Sequence, residues 1–234
     1  MLAIFKREMG VYFSSAIAYI TLATFYCFSA IFFYGICLHG DNASLTGVFI
    51  SMFLIIILIV PILTMKLISE EKKQKTDQAL LTAPVSLVKI VLGKFFSACA
   101  MLAICFGIFL IYALVISCFV TPEWNLIICN MIGLYLLGVS LIAICLFMSS
   151  LTDNQVVAAI LGFMAGMFIY MMDSIATLIP IEFVSNAITE LSFINHMQNF
   201  SLGLFSITDI VFFFSIITVF IFLTVRVIEK KRWS

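Results

Sequence analysis

The sequence predicts an all-α polytopic membrane protein with six transmembrane helices and no separate soluble domain. Three observations carry this. Of 234 residues, 64% are hydrophobic and 10% charged, with 25 Phe, against roughly 45–50% apolar content in a soluble domain; mean hydropathy is +1.25. A bilayer core about 30 Å thick needs about 20 apolar residues at about 1.5 Å each. Six runs meet that measure: 15–37, 47–65, 95–119, 126–148, 156–179 and 209–227. Finally, the charges are segregated although they sum to zero. Lys6 and Arg7 precede span one. Lys66, Lys72, Lys73, Lys75, Lys89 and Lys94 surround the loop between spans two and three. Arg226, Lys230, Lys231 and Arg232 lie at the C-terminus. The intervening connections hold Asp41, Glu123, Glu182 and Glu190 but no Lys or Arg. The positive-inside bias then places both termini and loop 67–93 in the cytoplasm.

The elements follow in chain order. In "MLAIFKREMGVYF", Leu2, Phe5, Met9 and Tyr12 recur three or four residues apart, with Lys6, Arg7 and Glu8 between them. That pattern predicts an amphipathic helix lying in the membrane interface, with Phe5, Lys6 and Arg7 at its centre. The first apolar run is too long for a signal-peptide core and has no small-residue cleavage site after it, so it reads as span one. Span two contains Pro61, a predicted kink that neighbouring groups must satisfy. Span three has Ala103-x-x-x-Gly107, and span five Ala158-x-x-x-Gly162-x-x-x-Gly166. Small residues at this spacing let helix backbones approach closely. For span five the approach is either within the chain or across a subunit interface. Asp153 and Asn154 are placed to cap its first turn.

Between spans five and six, segment 181–207 is too polar to span and too apolar to float free. Val184, Ile188, Leu191 and Ile194 recur at helical spacing, which predicts one or two short helices in the outer leaflet. His39 and His196 fall on that outer side, but no ligand-spaced cluster surrounds them, so no metal is expected. Asp173 falls near the outer end of span five, where interfacial water can solvate it. The seven Cys lie in or beside spans with no Cys-x-x-Cys pair, and read as small apolar packing residues.

The stretch "SEEKKQKTDQALLTAPVSLVK" (69–89) packs six formal charges between Glu70 and Asp77. Burying them at about 3 kcal/mol each would oppose insertion by roughly 18 kcal/mol, so they lie outside the bilayer. The stretch has no Gly, and its first Pro is Pro84. Its residues favour helix, and Glu71 and Lys75 form an i,i+4 pair in the favourable order. Pro84 should end that helix and Ser86 cap the next one. On these residues alone the loop is either a solvated marker of topology or a docking element.

The ordered segment "PILTMKLISEEKKQKTDQALLTAPVSLVKIVLGK" (61–94) resembles the region between the second and third spans of type-2 ATP-binding-cassette exporter permeases. Pro61, Thr64, Met65, Glu70, Glu71, Thr76, Leu80, Leu81, Pro84, Val85, Ser86, Ile90, Val91, Gly93 and Lys94 match their pattern. Lys75 stands where Gly is usual, and Gln78 where Glu is usual. "LSFINHMQNFSLGLFSITDIVFF" and "FLTVRVIEKKRW" resemble the external segment and last span of the gliding-motility and nitrous-oxide-reductase-accessory subset, with His196, Phe200, Gly203 and Asp209 in place.

The resemblance implies a cytoplasmic coupling helix seated on a separate ATPase subunit. Glu70, Glu71, Lys72, Lys73, Lys75, Thr76, Asp77 and Gln78 would form its docking surface, flanked by the N-terminal helix. It also implies a second permease half, either a copy of this chain or a relative, in a bacterial cell membrane. ATP and Mg would sit on the ATPase, with no cofactor on this chain and no nucleic-acid partner. The sequence has no Gly-x-x-x-x-Gly-Lys-[Ser/Thr]: Gly93-Lys94 is followed by Phe95, and position 88 is Val. Two rival classes need no ATPase. A membrane-embedded enzyme would want a catalytic pair within the spans, and both His lie outside them. An ion-coupled transporter would want ionisable residues at the midplane, and spans one to four and six carry none there.

Overall fold

A computed structural model describes residues 1–40, 45–73, 86–119, 121–178 and 182–233, and among them every regular element is helical. Helix α1 spans Leu2–Ser14. Helix α2, Ala16–Phe33, continues into a π-helical turn, Tyr34–Leu38. Helices α3 (Thr46–Lys73), α4 (Leu87–Ser117), α5 (Trp124–Leu151) and α6 (Gln155–Leu178) follow. Two short helices, α7 (Glu182–Glu190) and α8 (Phe193–Ser201), lead to α9 (Ile207–Trp233). Helices α2 to α6 and α9 are six elements long and apolar enough to cross a membrane. The all-α, six-span architecture read from the sequence is the one observed. The loop residues Lys75, Thr76, Asp77, Gln78 and Pro84 lie outside the described residues.

Helices α3 and α5 are central: 67% of the apolar window of each is buried, against 22% for α6 and 17% for α9. The peripheral helices turn side chains such as Ile160, Met164, Phe168, Val211 and Phe214 outward, a surface suited to hydrocarbon. In the core, Phe25, Phe106 and Phe109 pack edge to face or tilted, and Phe33 stacks on Tyr112 with centroids 4.3 Å apart.

The proline of α3 is accommodated by a neighbour that lacks a side chain. A Cβ at Gly162 would lie 3.2 Å from Pro61 Cβ and 3.1 Å from Cys145 Sγ, and one at Gly166 only 2.8 Å from Ile57. The small face of α6, with buried Ala158, therefore seats against α3 and α5 inside this chain. The Ala103–Gly107 pair does not do the same. Ala103 is exposed, and a Cβ at Gly107 would meet nothing within 4 Å among the described residues.

Two helix starts fall where expected but are capped by only part of the expected groups. Asn154 caps α6 by accepting from the Val156 amide at 3.0 Å, whereas Asp153 faces Lys72. Ser86 occupies the N-cap of α4, but its side chain makes no capping bond; its carbonyl accepts from the Lys89 and Ile90 amides instead. Helices α3 and α4 also run past the apolar runs, to Lys73 and back to Leu87. Their polar turns are held by contacts between helices, described next.

Candidate functional site at the basic end of the bundle

One end of the bundle carries α1, the last turns of α3 and α5, and the first turns of α4 and α6. Here Gly93 and Lys94 of α4 set the position of α1. A Cβ at Gly93 would come within 2.9 Å of Ile4, so glycine lets α1 lie close across α4. One residue on, Lys94 Nζ reaches Glu8 of α1 at 3.1 Å and Glu71 of α3 at 2.9 Å. Arg7 closes the ring from outside, pairing through Nη2 with Glu8 at 2.6 Å and with Glu71. Lys94 is 2% exposed and Glu8 6%. Two cations and two carboxylates thus balance, with Lys94 and Glu8 buried and Arg7 half-exposed at the outer edge, and such pairing is the condition under which buried charge is tolerable.

Tyr12, one turn beyond Glu8, donates to the Leu63 carbonyl of α3 at 2.9 Å. Burial pushes its hydroxyl well above the ordinary tyrosine range, and the Glu8 charge adds to this, so it remains a donor at neutral pH. For Arg7, burial opposes the charge. The Glu8 hydrogen bond and the charges of Glu8 and Glu71 outweigh it and raise the pKa further.

A second set of contacts ties α3 to α5 and the start of α6. Lys72 donates to the Ser150 carbonyl at the end of α5 and lies 3.9 Å from Asp153; a cation suits a helix C-terminus. The Ser149 hydroxyl accepts from the Ser69 amide and donates to the Met65 carbonyl, each at 3.2 Å. Those two backbone groups are the ones an α-helix pairs with each other. A hydroxyl of α5 is thus set into the ladder of α3 just before the loop.

The sequence-predicted residues fall out as follows. Glu71 and Lys72 are engaged within the chain. Glu70 is 4.0 Å from Lys66, and Lys73 is exposed at the end of α3. In α1, Phe5 is half-buried, Lys6 exposed, and Arg7 part of the ring. Glu8, counted on the polar face from its charge, instead shares the buried face with Tyr12. Glu8 and Lys94 are the functional candidates that residue pattern missed as a pair; the signal was a lone acid one turn from an apolar anchor.

At the opposite end, α8 is capped by Ser192, which accepts from the Ile194 and Asn195 amides. This cap breaks the apolar run 184–194 into two helices. The buried face of α8 is Phe193, His196, Met197 and Phe200, not Val184, Leu191 and Ile194. His196 Nε2 lies 2.9 Å from the Glu190 carbonyl and Nδ1 2.6 Å from Asp209 Oδ1, while Asn199 donates to Oδ2 at 2.8 Å. A carbonyl only accepts, so Nε2 carries hydrogen, and Nδ1 faces the Asp209 carboxyl group. Both ring nitrogens of His196 are thus engaged, and no group of three metal-ligating side chains occurs among the described residues. His39 is exposed, edge-on to Tyr34.

Six apolar helices around an ionically tied basic end define a multi-pass α-helical membrane protein. Residues 4–233 match the family model described as ABC-2 family transporter protein, and the chain belongs to that family. It is a membrane permease subunit of an ATP-binding-cassette transporter, a family whose permeases work with an ATPase partner. Comparison with curated proteins returns no match.

Proposed function

We propose that this chain is one half of an exporter, driven by a separate ATPase that docks on loop 67–93. The second half would be a copy of the chain or a relative. Both termini would be cytoplasmic, in a bacterial cell membrane, with ATP and Mg on the ATPase. The observation that carries this reading is the ring formed by Arg7, Glu8, Glu71 and Lys94 at the base of that loop. A force on the loop would enter α3 at Lys73. The ring would pass it to α1 and α4, and Lys72 with Ser149 would pass it to α5. Packed helices shift as units rather than deform, so the push would reorient the bundle between inward- and outward-facing arrangements.

The geometry also divides the predicted docking residues. Glu71 and Lys72 hold helices together, whereas Lys73 is exposed and Glu70 is half-buried beside Lys66. Glu70→Ala combined with Lys73→Glu should leave membrane insertion intact. The same double change should reduce co-purification of the co-expressed ATPase and its stimulated hydrolysis by about tenfold, the ~1.4 kcal/mol scale of a few lost polar contacts. Unchanged co-purification together with unchanged stimulated hydrolysis would overturn docking at this loop.

A further inference from the structure

Helix α1 is fastened to α3 by polar contacts at its middle, Arg7 to Glu71, and near its C-terminal end, Tyr12 to Leu63, and a cavity of about 440 Å³ lies beside these contacts. That volume lies within the roughly 300–1,000 Å³ of small-molecule sites. Its walls are of two kinds. Val11, Ile17, Leu63 and Leu67 form an apolar side that leads toward the hydrophobic middle of the bundle, and Arg7, Lys66 and Glu70 form a charged rim.

Two cations on that rim keep donors in hand. Both ion pairs of Arg7 run through Nη2, which leaves the N–H groups of Nε and Nη1, in a side chain 48% exposed. Lys66 is 4.0 Å from Glu70, beyond hydrogen-bond length. A guanidinium and an ammonium above an apolar wall, at the level where a six-span bundle leaves the membrane, match a phosphate ester with acyl chains below it.

The carboxylates select further. Glu8, Glu70 and Glu71 line the same cavity as Arg7, Lys66 and Lys94, so the lining is neutral overall. A net-anionic headgroup would add a charge that this balanced lining does not match, whereas a zwitterionic headgroup adds none.

We infer that the α1–α3 cavity is a binding site for one zwitterionic glycerophospholipid of the ethanolamine type. The phosphate is held by Arg7 and Lys66, the ammonium faces the carboxylate side, and the acyl chains run along Ile17 and Leu63. The site shares Glu70 with the proposed docking surface but is tested without the ATPase, and it gives α1 a lipid-filled seat against α3.

The test uses the full chain, delipidated in detergent, with its melting temperature followed during titration. The probes are dihexanoyl phosphatidylethanolamine, dihexanoyl phosphatidylglycerol, dihexanoylglycerol and soluble phosphoethanolamine. Saturable stabilisation should be strongest with phosphatidylethanolamine, at least several-fold weaker with phosphatidylglycerol, and absent with dihexanoylglycerol. Lys66→Gln should weaken the phosphatidylethanolamine response at least tenfold, and Lys66→Arg should restore it. Equal stabilisation by dihexanoylglycerol would reduce the site to an apolar crevice. Equal stabilisation by phosphatidylglycerol would remove the headgroup selection, and saturation by phosphoethanolamine alone would remove the lipid. Should Lys66→Gln fail to fold, the ranking of the four probes on the unaltered chain decides.

Discussion

At the residue scale, Lys94 carries a full charge at 2% exposure, and it does so because two carboxylates from two other helices meet it. Removing one partner of a buried pair typically costs about 3–5 kcal/mol, whereas replacing the whole pair with apolar side chains is often neutral. Lys94→Ala should therefore lower the melting temperature of the purified chain sharply. Lys94→Met combined with Glu8→Gln should recover a good part of the loss, a non-additivity expected of residues in contact. Equal loss in both variants would mean that apolar packing cannot replace the Lys94 ammonium, which meets Glu71 as well as Glu8. Here the sequence was only half legible. The motif match drew attention to Gly93 and Lys94, but nothing in the spacing of Glu8 said that a helix of 31 residues would bring a lysine against it. The reason is that ionic partners in a bundle come from different helices, and pattern within one helix cannot name them.

At the element scale, glycines of similar appearance in the sequence have opposite consequences. Gly133 of α5 faces Phe200 of α8: a Cβ there would lie 2.6 Å from Phe200 Cγ, and Phe200 is fully buried. Gly133→Ala should displace α8 and destabilise the chain by about 1–3 kcal/mol, the usual range for overpacking. Gly107→Ala should be neutral or stabilising by up to about 1 kcal/mol, since helix propensity favours alanine and the added methyl meets nothing within 4 Å among the described residues. Thermal melts of the two variants side by side check the contrast, and comparable destabilisation by both would contradict it. The six long helices were legible because hydropathy over some 20 residues is a property of one segment. Which small residues mark a helix contact was not, because Ala103–Gly107 and Gly162–Gly166 share a spacing and differ only in what stands opposite.

At the scale of the whole molecule, an apolar middle is closed at each end by a buried polar tie. The ring of Arg7, Glu8, Glu71 and Lys94 holds α1, α3 and α4. The pair of His196 and Asp209, with Asn199, holds α8 to the start of α9. The two ties share no residue, so loss of one should leave the other standing. His196→Ala should speed amide hydrogen exchange across 193–205 by about tenfold or more, as local openings become cheaper, with protection of α1 unchanged. A uniform rise along the chain would show instead that the pair supports the entire bundle.

By itself the sequence determined the membrane class, the number of spans, and the segregation of basic residues to one end, since each depends on composition summed along one stretch of chain. It also carried, in the residues 61–94, the likeness to the permease family that the whole chain proved to share. Only the tertiary structure decided that Glu71 and Lys72 tie helices together while Lys73 stays exposed. It likewise paired His196 with Asp209 and left a cavity between α1 and α3. Each of those facts depends on which side chain of one helix stands opposite which side chain of another, and in a chain this uniformly apolar the helical pattern leaves the rotation of each helix undetermined until the helices pack.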